Sequence, residues 1–265
     1  SLYGHGLSEK RLGKFIKISN ANDIVISTKG GLLPHKPFQM KRNFDAKFIS
    51  KSIEKSLKNL NKEIDIFFLH SPNIQDITKN DELISLLEKI KKKGNIKSFG
   101  ISADSPLHID HFIKYYNFEF IQSNFNLLDQ RLIELNLLSK FEKKKISLIA
   151  RTPFGFGFLG DHSLKKINLN QNKDHRIHWS NKQWDKWNKG KYDFHMFKEK
   201  NELTYSQLAL NFVFSHKFRG SVIPGMMNFN DIINNVISEK LEKLSFKDLK
   251  SIYKIYSKNS YFIKN

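Results

Sequence analysis

Ile64-Asp65-Ile66-Phe67-Phe68-Leu69-His70 and, beyond a helical stretch, Ile96-Lys97-Ser98-Phe99-Gly100-Ile101-Ser102 decide the fold. Each is a short, mainly apolar run, as expected of a strand that helices cover on both faces. The alternation continues outward in both directions. Strands are predicted over 24–28, 64–69, 96–101, 118–123, 146–150 and 220–223. Helices are predicted over 44–60, 81–92, 107–115, 132–143, 205–214 and 244–257. In the first of these helices, Phe48, Ile49, Ile53, Leu57 and Leu60 recur at helical spacing. Strands alternating with helices imply right-handed βαβ units and a parallel sheet. No Gly-x-Gly-x-x-Gly turn follows an early strand, so the dinucleotide fingerprint of an open doubly wound sheet is missing. The fold class is therefore read as α/β, a (β/α)8 TIM barrel. A closed barrel of this kind has eight strands, and six are counted.

The chain has 265 residues, enough to bury a large core without a disulfide or metal staple. Hydrophobic residues at 39% and charged residues at 27% argue against wholesale disorder. There is no cysteine, which excludes a disulfide scaffold, a thiol nucleophile and Cys-based metal sites. No apolar run approaches the roughly eighteen residues of a membrane span, and no signal-peptide pattern opens the chain. A cytoplasmic address without membrane association is the default expectation. Lys and Arg number 45 against 26 Asp and Glu, a net charge of +19. Nearly all the cations are Lys, whereas base readout and phosphate forks favour Arg, so specific nucleic-acid binding is not expected. The first residue is Ser, inside a glycine-bearing turn, and the chain reads as a piece of a longer one.

Segment 155–200 is too long and too polar for a plain connection and reads as a lid, binding loop or disordered stretch. Its Trp179, Trp184 and Trp187 are assigned to packing. His108, Asp110 and His111, and separately Asp174, His175 and His178, are short polar clusters without a third ligand set, so no metal site is expected.

In β/α barrels the reactive groups sit at the C-terminal ends of the strands. There the chain places Lys29, His70, Ser102, Gln122, Arg151 and the Pro224-Gly225 step. Polar strand ends are common on structural grounds alone. A Lys and a His at one barrel mouth with a Tyr nearby are a more specific set, because together they can move a proton to a carbonyl oxygen. An ammonium beside a Tyr favours the phenolate.

These segments resemble the aldo-keto reductase family. Tyr3-Gly4-His5-Gly6-Leu7-Ser8-Glu9 to Leu12-Gly13 is similar to its opening tyrosine motif, and Ile26-Ser27-Thr28-Lys29 to its lysine strand. Ser56-Leu57 through Asp65 to His70, Gly94-Asn95-Ile96-Lys97 to Ser102, and Arg151-Thr152-Pro153-Phe154-Gly155-Phe156-Gly157-Phe158-Leu159 continue the likeness. Gln207-Leu208-Ala209-Leu210 and Val222-Ile223-Pro224-Gly225 complete it.

The resemblance implies one reductase-like barrel domain over 1–265, with 155–200 as a clasp over the cofactor. It places the first two strands, and an Asp that pairs with the lysine, upstream of Ser1. It implies an NAD(P)-dependent oxidoreductase interconverting an aldehyde or ketone, including aldoses and sugar derivatives, with the alcohol. Tyr3 would be the general acid/base, Lys29 would ease its proton release, and His70 would orient the carbonyl. Ser102 and Gln122 would hold the nicotinamide carboxamide, Arg151 would lie beside the nicotinamide and its phosphate, and Thr152 would also contact the cofactor. Phe154 and Gly155 would line the pyrophosphate path, and Gly225, Asn228, Asn234 and Asn235 the adenosine end. Asp174 and Arg176 fall where relatives carry an Asp-x-Arg salt bridge. NADP(H) is the family default. Met226-Met227-Asn228-Phe229-Asn230-Asp231 lacks the cation that holds a 2′-phosphate in many relatives, which keeps NAD(H) open. The expected partner is a small carbonyl or sugar substrate, with selectivity set by the loops at 30–41, carrying Leu32, Leu33, Pro34, His35 and Phe38, and after Phe154. A monomer is the default. Two alternatives stay open: a catalytically inactive dinucleotide-binding barrel acting as a sensor or partner subunit, and a basic interaction protein.

Overall fold

The computed structural model describes residues 2–21, 23–34, 39–78, 80–162, 164–165, 174–259 and 261–262. The strands are β1 (Ser27–Gly30), β2 (Leu32–Leu33), β3 (Lys41–Arg42), β4 (Ile64–His70), β5 (Ile96–Ser102), β6 (Phe120–Asn124), β7 (Ser147–Arg151) and β8 (Gly220–Ile223). The chain divides into two compact units, one of Ser1–Ser123 and Phe141–Leu148, the other of Asn124–Lys140 and Ile149–Asn265.

In the first unit β1, β4, β5 and β6 lie side by side in that order. The β1–β4, β4–β5 and β5–β6 pairs are parallel. Ile64, Phe67, Phe68, Leu69, Ile96, Ile101 and Ile121 are buried on these strands, because helices cover the faces. The helix Ala46–Leu60 starts where the Asp45 side chain accepts from Phe48 N and buries Ile49, Ile53 and Leu60. The helix Asp81–Lys92 carries Asp81 and Glu82 in its first turn and Lys89, Lys91 and Lys92 in its last, matching the helix dipole, and buries Leu83 and Leu87. Each such side chain contributes about 1.5–3 kcal/mol by leaving water. β2 and β3 form a small antiparallel ribbon after β1.

The helix Leu7–Ser19 packs on the end of Ala46–Leu60. Gly13 makes that approach possible, since a Cβ there would fall 2.4 Å from Asn59 O and 2.8 Å from Leu60 O. Gly6, at φ 95°, turns the chain into this helix in a conformation that other residues adopt at a cost.

In the second unit the end of β7 lies beside β8. The helix Tyr205–Phe214 is buried from Leu208 to Val213, and Thr204 and Gln207 close its start as a capping box. Phe158 sits among Trp179, Trp184 and Trp187, with ring centroids 5.9, 4.8 and 5.4 Å away. Trp184 Nε1 donates to Arg176 O at 3.0 Å, and Trp187 Nε1 to Tyr261 O at 2.5 Å. The three indoles therefore pack the segment that carries them.

Several boundaries differ from the sequence reading. The first strand runs over Ser27–Gly30 rather than 24–28, because Ile26 N is taken by the Asp65 carboxylate at 2.8 Å and Val25 is exposed. The helix Leu7–Ser19 was not expected. It buries only Glu9, Gly13 and Ile16, so its apolar stripe is thin. The helix Phe229–Lys240 was also missed, and its Phe229, Ile232, Ile233, Val236 and Ile237 are exposed. Within 155–200, Asn181–Gly190 and His195–Lys200 are helices rather than loop. Their lysines hide the pattern, while Trp184, Trp187 and Phe197 form the buried side. His35 and Phe38 of the substrate-loop reading, and 163 and 166–173 of the clasp reading, lie outside the described residues. Among the described residues, no helix is long and apolar enough to cross a membrane.

Candidate active site

Parallel register brings the strand-end residues of the first unit into one row. His70 pairs with Ser102, and Ser102 with Gln122, across β4, β5 and β6. Lys29 lies opposite Phe68. Residues two apart on a strand face the same way, so Lys29 shares the face of His70. Tyr3 opens a short 3-10 turn, Tyr3–Gly6, before the first helix. Lys29 Nζ donates to Tyr3 Oη at 2.9 Å, with the ammonium 5.0 Å from the ring centroid. The His70 ring stacks on Tyr3 with centroids 6.1 Å apart and planes 19° from parallel. Tyr3 is 49% exposed.

Ser102 and Gln122 are buried beside this row, and Ser102 Oγ donates to Gln122 Oε1 at 2.9 Å. Among the described residues, Gln122 Nε2 is buried and makes no hydrogen bond. Leaving a donor so costs about 1–3 kcal/mol. Its chemistry suits a ligand carbonyl or amide oxygen.

Two residues not singled out from the sequence shape this mouth. Arg42, on β3, donates from Nε to Ser71 O at 2.5 Å and contacts Asp104 at 3.4 Å, which ties the β2–β3 ribbon to the residue after His70. Nothing in the local sequence signals this long-range contact. Glu9 is buried and accepts hydrogen bonds from Thr28, Ser56 and Asn59. Its spacing with Gly13 and Ile16, one face of a helix, was the available signal.

The second unit carries a groove of about 870 Å³. Thr152, Phe154, Gly225, Asn228, Asn234 and Asn235 line it. Arg151 and Gly155 are not among the lining residues. Arg151 ends β7, where its carbonyl accepts from Phe125 N at 3.2 Å, and Gly155 is buried in the turn behind Phe154. That turn is tight, with positive φ at Thr152, Gly155, Phe156 and Gly157. Arg176 Nη1 holds it by donating to Phe156 O at 2.7 Å, while Nε and Nη2 grip the Asp174 carboxylate at 2.9 and 2.6 Å.

At the far end of the groove, Asn228 caps the helix Phe229–Lys240. Asp231 Oδ2 accepts from Met227 N at 2.7 Å and Asn228 N at 3.2 Å, and Asn228 Oδ1 accepts from Asp231 N at 3.0 Å. Asn235 Nδ2 donates to Gly225 O at 3.3 Å. Met227 is 92% exposed. Among the described residues, Arg176 is the only Lys or Arg that lines the groove, and it is already joined to Asp174.

Lys29 and His70, at the C-terminal ends of parallel strands, thus meet the Tyr3 side chain, a combination of groups whose chemistry can move a proton to a carbonyl oxygen. Residues 1–257 match the Aldo/keto reductase family, and the chain belongs to it. It is an oxidoreductase of that family, whose members act on carbonyl and sugar substrates. The chain is 26% identical over 253 residues to the uncharacterized oxidoreductase YqkF of Bacillus subtilis, covering 95% of this chain and 79% of that one. It is 25% identical over 168 residues to the NADH-specific methylglyoxal reductase of Escherichia coli, covering 59% and 51%. Among solved structures, the glycerol dehydrogenase AKR11B4 of Gluconobacter oxydans superposes with a TM-score of 0.79 at 22% identity, covering all of this chain and 81% of that one. A Klebsiella pneumoniae aldo-keto reductase in complex with NADPH gives 0.66 at 17% identity, covering 96% and 77%. The fold is that of the (β/α)8 barrel class.

Proposed function

We propose that this protein is a nicotinamide-dependent carbonyl reductase for small aldehydes, ketones or sugar derivatives, with Tyr3 as its general acid. The observation that carries this reading is the 2.9 Å hydrogen bond from Lys29 Nζ to Tyr3 Oη beside the His70 ring. Tyr3 gives its proton to the carbonyl oxygen as that oxygen gains negative charge. The Lys29 ammonium then stabilises the phenolate left behind, because opposite charges in contact favour the ionised form. His70, stacked along the tyrosine, orients the carbonyl oxygen toward Tyr3 Oη. Positioned acid catalysis of this kind contributes about 10²–10⁴ in rate.

The buried, unpartnered Gln122 Nε2 fits a nicotinamide carboxamide, whose oxygen would complete it, and Ser102 holds Gln122 in place. When bound, the reduced nicotinamide supplies the hydride. Thr152 and Phe154 would take the pyrophosphate path, with Arg151 and Gly155 supporting that turn from behind. Gly225, Asn228, Asn234 and Asn235 would take the adenosine end. In this reading 1–265 acts as one catalytic domain, with the segment after Phe154 as its clasp.

Two features at the adenosine end support NAD(H) over NADP(H). The Met227 and Asn228 amides just before the helix already serve Asp231, whose carboxylate would repel a phosphate, and the exposed residue beside them is Met227 rather than a cation.

The test is turnover of an aldehyde panel with NADH and with NADPH, alongside equilibrium binding of each. Wild-type turnover that Tyr3→Phe lowers at least 100-fold, with dinucleotide binding retained, supports the reading. Binding without turnover would instead support the sensor or partner-subunit role.

A further inference from the structure

Glu9 is 5% exposed, inside the helix that follows Tyr3. Its Oε1 accepts from Thr28 Oγ1 at 2.6 Å and Ser56 Oγ at 2.8 Å, and its Oε2 from Asn59 Nδ2 at 2.9 Å. Burial pushes this carboxyl up, but the hydrogen bonds from Thr28, Asn59 and Ser56 outweigh it and hold the group below the usual carboxylate range. Packing alone does not call for a charge here, since an apolar residue of similar size often serves as well.

The three donors sit on two elements. Ser56 and Asn59 belong to the helix Ala46–Leu60, and Thr28 to β1, one residue before Lys29. Successive strand residues face opposite ways, so holding Thr28 on the helix side sets Lys29 on the Tyr3 side. Gly6 and Gly13 let the Glu9 helix approach closely enough to make these bonds, since a Cβ at Gly6 would meet Asn59 Nδ2 at 3.1 Å.

We infer that Glu9 is a positioning residue for proton transfer: its buried carboxylate fastens the Tyr3 turn to the Lys29 strand and keeps Lys29 Nζ within hydrogen-bond reach of Tyr3 Oη. The inference rests on the role proposed above for Tyr3. A misplacement of about 1 Å at a reacting group costs on the order of 100-fold in rate, so loosening this clamp is read in kcat.

The experiment compares Glu9→Leu, Glu9→Gln, Glu9→Gln/Asn59→Asp and Tyr3→Phe in the full-length protein. It measures kcat and KM for 4-nitrobenzaldehyde, dinucleotide Kd, and the circular-dichroism melting curve. Glu9→Leu is expected to lower kcat by about tenfold or more while KM and Kd stay within about twofold, at a temperature where the variant is folded. Glu9→Gln takes the charge out of these hydrogen bonds and lowers kcat, and adding Asn59→Asp returns a carboxylate to the pair, with the Gln amide now donating to it, and recovers kcat. Should Glu9→Leu not fold, the Gln variant and its paired rescue carry the comparison. Wild-type kcat in a folded Glu9 variant, or a loss that merely tracks the unfolded fraction, overturns the inference. Tyr3→Phe separates the two claims. If it is active, the acid assignment itself falls. If it is inactive while the Glu9 variants keep wild-type kcat, only the positioning role falls.

Discussion

Replacing Ser102 by Ala and Gln122 by Met together should make the ligand-free protein more stable and the dinucleotide complex weaker. Both side chains are buried, with 2% and 1% exposure, and between them they make one hydrogen bond of 2.9 Å. Removing that bond costs about 0.5–1.5 kcal/mol, whereas removing the unpartnered Gln122 Nε2 recovers about 1–3 kcal/mol. Met nearly preserves the volume of Gln, and volume-conserving swaps cost little. The net gain is about 1 kcal/mol, which at this size raises the melting temperature by roughly 2–4 °C. In the reading proposed above the dinucleotide loses the one hydrogen bond from Gln122 Nε2, worth about 0.5–1.5 kcal/mol, a roughly twofold to tenfold weaker Kd. Circular-dichroism melts without ligand and titration calorimetry with NADH or NADPH read the two quantities separately. A variant that melts several degrees lower while binding both dinucleotides like wild type would refute the idea that the donor is kept for a ligand.

Other outcomes follow from the same geometry. Gly13→Ala should destabilise by about 1–3 kcal/mol, since its methyl meets two backbone oxygens that cannot move aside and helix propensity returns only about 1 kcal/mol; a thermal melt reads this. Met227→Arg should tighten NADPH relative to NADH by about tenfold or more, measured as a ratio of equilibrium constants. Glu9 and Asp65 are both held below the ordinary carboxylate range. In each case burial opposes ionisation and is outweighed, at Glu9 by Thr28, Asn59 and Ser56 and at Asp65 by Lys97 and Ile26 N. Their stabilisation is thus present above the unfolded values of about 4 and is lost as pH falls through the lower folded ones. Urea midpoints should therefore drop steeply below about pH 4, and Glu9→Gln should flatten part of that slope.

The alternation of apolar runs with helical stretches, and the polar residue ending each run, belong to the sequence by itself. Periodicity is local, so β4, β5, the helices they flank, and Lys29, His70 and Ser102 near the strand ends were all legible from spacing. The row formed by His70, Ser102 and Gln122 came only with parallel register, because no local pattern states which residues of separate strands align. Glu9 and Arg42 escaped for the same reason: their partners lie up to 50 and 62 positions away. The helices Leu7–Ser19 and Phe229–Lys240 were missed because each buries too little to mark a face. Residue types and their order determined the class and the candidate site groups. Register and long-range packing, which are properties of the folded chain, decided which groups meet, at what distance, and which buried donor is left for a ligand to complete.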